Sequence, residues 1–152
     1  TIHDIGKIGI KEKVLNKSGR LTDEETEIIH SHAVKGSEIL EPMTRLHVLM
    51  PGVRNHHERY NGKGYPDGLR GEETHLIARI IAVADAYDAM TTNRVYRKAL
   101  THAVACQELK NGAGTQFDPK LAIAFINFMG KNPEMKNLKN EPEPETAFIS
   151  QQ

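Results

Sequence analysis

A single cysteine, Cys106, stands in the whole chain, so no disulfide can close within it and the sequence fits a reducing compartment. Net charge is missing too. Twenty basic residues balance twenty acidic ones, which argues against a surface that coats a nucleic acid polymer. It leaves room for one small anionic substrate held in a local pocket. No apolar run approaches the roughly eighteen residues of a membrane span, and no signal peptide is visible. Repeats and strand-like alternation are absent, so the predicted class is all-α. An initiator methionine is also lacking. The chain opens Thr-Ile-His-Asp-Ile-Gly-Lys and reads as cut into a larger protein. At 152 residues it fits one domain able to bury a real core.

What the chain does have is histidine, eight in all. The centre of its organisation is Asn55 to Leu69, NHHERYNGKGYPDGL. His56 and His57 read as the end of a helix and point about 100° apart, addressing one cavity from adjacent directions. Gly62, Gly64, Pro66 and Gly68 follow, and the glycines let the backbone approach a ligand without Cβ clashes. The pattern looks like a metal site beside a phosphate or sugar pocket. Taken alone, it is also an ordinary solvated helix end followed by a tight turn. The rest of the chain has to decide.

Thr1 to Ile5 reads as the last turn of a helix with Gly6 as its C-cap, and His3, Asp4 and Lys7 fall in one locale. Ile8 to Arg20 reads as a loop. Thr22 and Glu25 form a capping box for a helix that Pro42 closes. His30 and His32 lie on that helix two residues apart, so at most one faces a shared site. Further helices are predicted from about Thr44 to Met50, Pro51 to Arg59, Leu76 to Met90, Thr101 to Lys110 and Pro119 to Met129. LIARIIAVADAYDAM (76–90) is apolar enough to be buried on most sides. Its Asp85 and Asp88 share a face and need partners. Metal ligation explains Asp85, whereas Asp88 also fits a cap or an arginine pair. Arg94, Arg97 and Lys98 are either a solvated basic face or cations for phosphate oxygens. From Lys131 the chain is polar and proline-containing, predicted as a disordered tail over 131–152 beyond a domain of 1–130.

Six motifs, in order, resemble the HD-GYP domain, a subgroup of the HD phosphohydrolase superfamily. They are HDIGK (3–7), HAVKG (32–36), HHERYNGKGYPDGLRG (56–71), VADAYDAMT (83–91), RVYRKAL (94–100) and GTQFDP (114–119). The resemblance implies a helical bundle around a multinuclear metal site. It also implies hydrolysis of cyclic di-GMP to linear pGpG, GMP or both, in bacterial second-messenger signalling. By position, Asp4 would bridge two divalent ions, with His3 and Asp85 on the first and His32, His56 and His57 on the second. His32 rather than His30 matches, because the family's ligand lies four residues before the glycine, here Gly36. Lys7 would contact the scissile phosphate. Gly64, Tyr65, Asp88, Arg94 and Arg97 would hold the nucleotide. The resemblance favours iron, with manganese as the second choice and two or three ions in total. It further implies an upstream sensory or receiver domain, contact with GGDEF-type proteins through the GYP loop, and a cytoplasmic domain.

This chain departs from the family at Ala33, where proline is usual, at Thr74-His75, where Ile-Pro is usual, and at Val95. None of these removes a ligand. The family also draws a histidine, and in three-metal members a glutamate, from an upstream helix, so the first metal site is expected to be incomplete here. His30, His47, His75 and His102 are expected at surfaces or helix ends. The competing reading is a non-catalytic regulatory module binding nucleotide or a partner protein. A hydrolase for another cyclic dinucleotide is the third.

Overall fold

The computed structural model describes residues 2–93 and 98–132. Among them lie helices joined by turns, with no strand beyond two isolated bridges, Asn61 to Arg70 and Ala113 to Phe117. The α-helices are α1 (Glu12–Leu15), α2 (Asp23–Leu40), α3 (Met50–Asn55), α4 (Leu76–Thr91), α5 (His102–Gly112) and α6 (Pro119–Lys131). Three 3-10 segments, Ile2–Gly9, Thr44–Leu49 and Gly71–Glu73, fill the intervals. The class is all-α, as the sequence implies. None of these helices is long and apolar enough to cross a membrane.

Capping chemistry sets the helix starts. Thr22 and Glu25 exchange reciprocal side-chain to backbone bonds at 2.8 and 3.3 Å, closing the capping box of α2. His75 accepts from the Ile77 amide to begin α4, Thr101 accepts from Val104 to begin α5, and Asp118 accepts from Lys120 and Leu121 to begin α6. Val83 and Tyr87 of α4, Ala105, Cys106 and Leu109 of α5, and Ala122 and Met129 of α6 close one core with Phe117. Leu109 is fully enclosed there, a burial worth about 1.5–3 kcal/mol.

The other half of the molecule positions the site. Ile2–Gly9 lies against α2 at a pair of glycines. A Cβ on Gly6 would stand 1.9 Å from the His32 carbonyl oxygen, and one on Gly36 would stand 2.7 Å from Val53 Cγ1. Gly6 is therefore not a C-cap, because the segment continues to Gly9, and its role is close approach.

Two other expectations also shift. The predicted loop 8–20 contains the short helix α1. The helix after Pro51 stops at Asn55 instead of Arg59, because the following residues turn back to serve the glycine loop. The helix α4 leaves a single stripe exposed, Leu76, Ile80, Ala84 and Asp88, and its other residues are half-buried or buried. The predicted tail from 133 onward lies outside the described residues.

Candidate metal centre

Four ligand-type side chains converge from three places in the chain. Asp4 comes from Ile2–Gly9, His32 from α2, and His56 and His57 from the residues just past α3. One donor atom from each lies within 4.8 Å of the others. The tautomers follow from backbone partners. His32 Nδ1 lies 2.6 Å from the Ile29 carbonyl and His56 Nδ1 lies 2.8 Å from the Val53 carbonyl. A carbonyl can only accept, so both Nδ1 atoms carry the proton and donate it. In neutral rings the two Nε2 atoms are then bare lone pairs. They face each other at 3.3 Å, with Asp4 Oδ1 at 3.6 Å from one and 4.0 Å from the other. Three electron-rich atoms pointed at one spot suit a cation. Backbone-fixed histidine tautomers are how metal ligands are commonly oriented.

A second grouping adjoins the first. Asp4 Oδ2 accepts from Lys7 Nζ at 2.7 Å and lies 3.8 Å from His3 Nε2. The same His3 nitrogen is 3.5 Å from Asp85 Oδ1 on α4. Asp4 therefore stands between the two groups, one oxygen turned to each.

Electrostatics keep the donors in ligand form. Burial pushes the His56 imidazole down to about 4, reinforced by His3 and His32. Burial, with His56 and His32 beside it, pushes His57 down to about 3. His32 is lowered for the same first reason. Burial alone would raise the Asp4 carboxyl, but the Lys7 hydrogen bond and charge, with His3 and His32, hold it below the ordinary carboxylate value. At neutral pH the set is thus neutral imidazoles around a carboxylate.

The glycine loop is organised from beneath by a buried carboxylate. Glu58 accepts from the amides of Asp67, Gly68 and Leu69 at 2.7, 3.0 and 3.1 Å. Asp67 is clamped in turn by two bonds from Arg54, at 2.9 and 2.7 Å, and one from Asn55 at 2.8 Å. Gly64 has no Cβ for a local reason: one would lie 2.3 Å from the Arg59 backbone nitrogen. The room it provides is for the chain's own backbone, not only for a ligand. Beside this loop is a cavity of about 340 Å³ whose lining includes His56, His57, Asp85, Gly64, Tyr65, Arg59, Lys63 and Gln116. Burial and the nearby charges of Asp4 and Asp85 push the Tyr65 hydroxyl upward, so it stays protonated.

The structure thus gathers His3, Asp4, Lys7, His32, His56, His57 and Asp85, and it puts Gly64 and Tyr65 on the cavity wall. Asp88 is exposed on α4 and does not line that cavity. Arg94 and Arg97 lie outside the described residues. Of the four histidines expected elsewhere, His75 caps α4, His47 bonds the Glu41 carbonyl at 2.7 Å, and His102 meets the Tyr87 hydroxyl at 2.9 Å. His30 differs: its ring stacks on Tyr65 at 3.7 Å. Sequence reading passed over Glu58, Arg59, Lys63 and Gln116. The only signal for them was position inside the motifs.

The fold and this cluster define a class: a helical domain with a histidine–aspartate centre able to hold a divalent metal. A family model described as HD domain matches residues 1–121, and the chain belongs to that family. Several relatives are named cyclic di-GMP phosphodiesterases, which accords with the HD-GYP resemblance. One, a cyclic di-GMP phosphodiesterase response regulator of Xanthomonas campestris, is 41% identical over 127 residues, which is 82% of this chain and 34% of that protein. Another, a 3′3′-cGAMP-specific phosphodiesterase of Vibrio cholerae, is 33% identical over 88% of this chain and 29% of its own length. The chain spans about a third of the length of the curated relatives it matches. A crystal structure of a cyclic GMP-AMP specific phosphodiesterase of V. cholerae superposes with a TM-score of 0.65 at 20% identity. That match covers 90% of this chain and 37% of the other, and it shows the shared fold.

Proposed function

We propose that this chain is the catalytic domain of a metal-dependent phosphodiesterase that hydrolyses cyclic di-GMP to linear pGpG, GMP or both. The observation that carries the reading is the convergence of the bare His32 and His56 Nε2 atoms, 3.3 Å apart, on a carboxylate that also touches Lys7. His32, His56, His57 and Asp4 would hold one ion, and His3, Asp85 and the shared Asp4 another. Bound divalent ions would supply a Lewis-acid clamp on the phosphodiester and a hydroxide near neutral pH. Lys7, bonded to Asp4 at 2.7 Å, would meet a phosphate oxygen there. Arg59 and Lys63 bring positive charge to the cavity wall, where a dianionic cyclic dinucleotide needs it. Tyr65 keeps its proton and can donate it to a ligand. Nitrogen and oxygen donors without thiolate suit iron or manganese, and Cys106 sits apart in the α4–α6 core. Arg94, Arg97 and Asp88 remain proposed nucleotide contacts. An upstream input domain and a cytoplasmic setting belong to the same proposal, and one relative is named a response regulator. GGDEF-type partners would meet the GYP loop.

The test is turnover of cyclic di-GMP and of 3′3′-cGAMP, side by side, by the full chain loaded with Mn²⁺ or reduced iron. The expected result is cyclic di-GMP hydrolysis, with metal and activity lost together in Asp4→Ala. Preference for 3′3′-cGAMP would move the substrate and keep the chemistry. Stoichiometric metal without turnover of either would favour the regulatory-module reading.

A further inference from the structure

The three histidines of the cluster are not oriented alike. His32 and His56 each have Nδ1 fixed by a backbone carbonyl, whereas the contacts of His57 are with other rings. It meets His56 at 4.1 Å, His32 at 5.0 Å and Tyr65 at 4.9 Å, and the last contact is near-parallel, with 26° between the planes. Tyr65 in turn stacks on His30 at 3.7 Å and 15°. Two near-parallel partners on one small ring, without a close contact between His30 and His57 themselves, occupy its opposite faces. The arrangement is a column of three rings, His30, Tyr65 and His57, running from α2 into the metal cluster.

We propose that His30 is a positioning residue: by stacking on Tyr65 it holds that ring against His57 and so sets the direction in which His57 presents its donor nitrogen. This rests on the metal-centre reading above. Tyr65 belongs to a loop, and a loop ring has to be pinned from somewhere. Glu58 fixes the loop backbone at Asp67 to Leu69, beyond the tyrosine. His30 stands on an 18-residue helix and supplies a rigid wall. The column also means that both faces of Tyr65 are covered by protein. The tyrosine therefore offers a ligand its edge and hydroxyl rather than a platform for base stacking. The pairing of His30 with Tyr65 is one of ring shape, so a phenyl ring can replace the imidazole and alanine cannot.

The experiment compares Mn²⁺ affinity of the full chain with that of His30→Ala and His30→Phe, by calorimetry, with thermal melting of each metal-free protein alongside. Loss of an outer partner of a metal ligand typically weakens affinity about 10–100-fold, so His30→Ala should fall by at least about tenfold. His30→Phe should return to within a few-fold of the parent, and the melting temperatures should stay close. Equal affinity in all three proteins overturns the proposal. So does a phenylalanine variant as weak as the alanine one, or an affinity loss that merely tracks a large drop in melting temperature. A parent chain that takes up no Mn²⁺ sinks the metal-centre reading itself, and this inference with it. Parent binding with an unaffected alanine variant sinks the inference alone.

Discussion

Glu58 shows what a single side chain contributes here. Its two oxygens accept three backbone amides from residues nine to eleven positions on, and the residue is buried. A carboxylate can serve three donors because it is acceptor-only. Glu58→Gln exchanges one oxygen for an NH₂ group, which sets donor against donor at one of those amides. The expected loss is about 1–3 kcal/mol in urea unfolding, the cost of an unsatisfied buried group. A raised KM should accompany it, because the loop carrying Tyr65 loosens. Unchanged stability and KM would mean that the loop is fixed by Arg54 and Asp67 alone. The histidines gathered here were matched through the HD-GYP resemblance, whereas residue type alone left His30 and His32 open. Glu58 was singled out by neither, because its partners are defined only once the loop folds back. The bare Nε2 atoms were equally hidden, since they depend on which carbonyls Ile29 and Val53 present.

At the scale of elements, the capping residues Thr22, Glu25 and Pro42 made α2 legible, and apolar content did the same for α4. Less legible were the segments whose conformation is chosen by packing. Ile2–Gly9 and Thr44–Leu49 are 3-10 rather than α, and no local propensity separates the two over six to eight residues. Gly6 looked like a terminator because glycine commonly is one. Its reason lies instead on α2, where a Cβ would stand 1.9 Å from the His32 carbonyl oxygen. That contact delivers His3, Asp4 and Lys7 to His32. Gly6→Ala should therefore push Ile2–Gly9 off α2, costing about 1–3 kcal/mol and lowering Mn²⁺ affinity with it. Gly130→Ala is the control. It lies in α6 with nothing within 4 Å of a new Cβ, and should be neutral or slightly stabilising. If Gly6→Ala melted and bound metal like the control, the close approach would not be what builds the site.

For the whole molecule, the cluster is a point at which separate parts of the chain meet away from the largest apolar core, with Ala33, Leu40 and Val53 buried on α2 and α3 beside them. The large hydrophobic cluster lies among α4, α5 and α6, while the ligands come from Ile2–Gly9, α2 and the turn after α3. Folding must therefore bring buried imidazoles together, and that sets a pH dependence. His56 is held down to about 4 and His57 to about 3, each chiefly by burial, whereas in the unfolded chain both sit at the ordinary value of 6.5. Above that value both states leave the rings neutral, and these groups give stability no slope. Below it the unfolded chain binds protons that the folded chain refuses, so stability falls as pH drops toward about 4. The metal-free protein should accordingly melt progressively lower from pH 6.5 downward. Metal behaves differently, because the folded rings are still neutral at pH 5 and few protons compete for their lone pairs. Mn²⁺ at a hundredfold excess over its Kd adds about 2.7 kcal/mol to the folded state. Most of that increment should survive at pH 5, where histidines at the ordinary value would have surrendered it. Melting with and without Mn²⁺ at pH 7 and pH 5, in chelator-treated protein, reads both effects at once. A metal-free melting temperature flat from pH 7 to pH 5, or an increment that vanishes at pH 5, would show that His56 and His57 titrate as exposed histidines do.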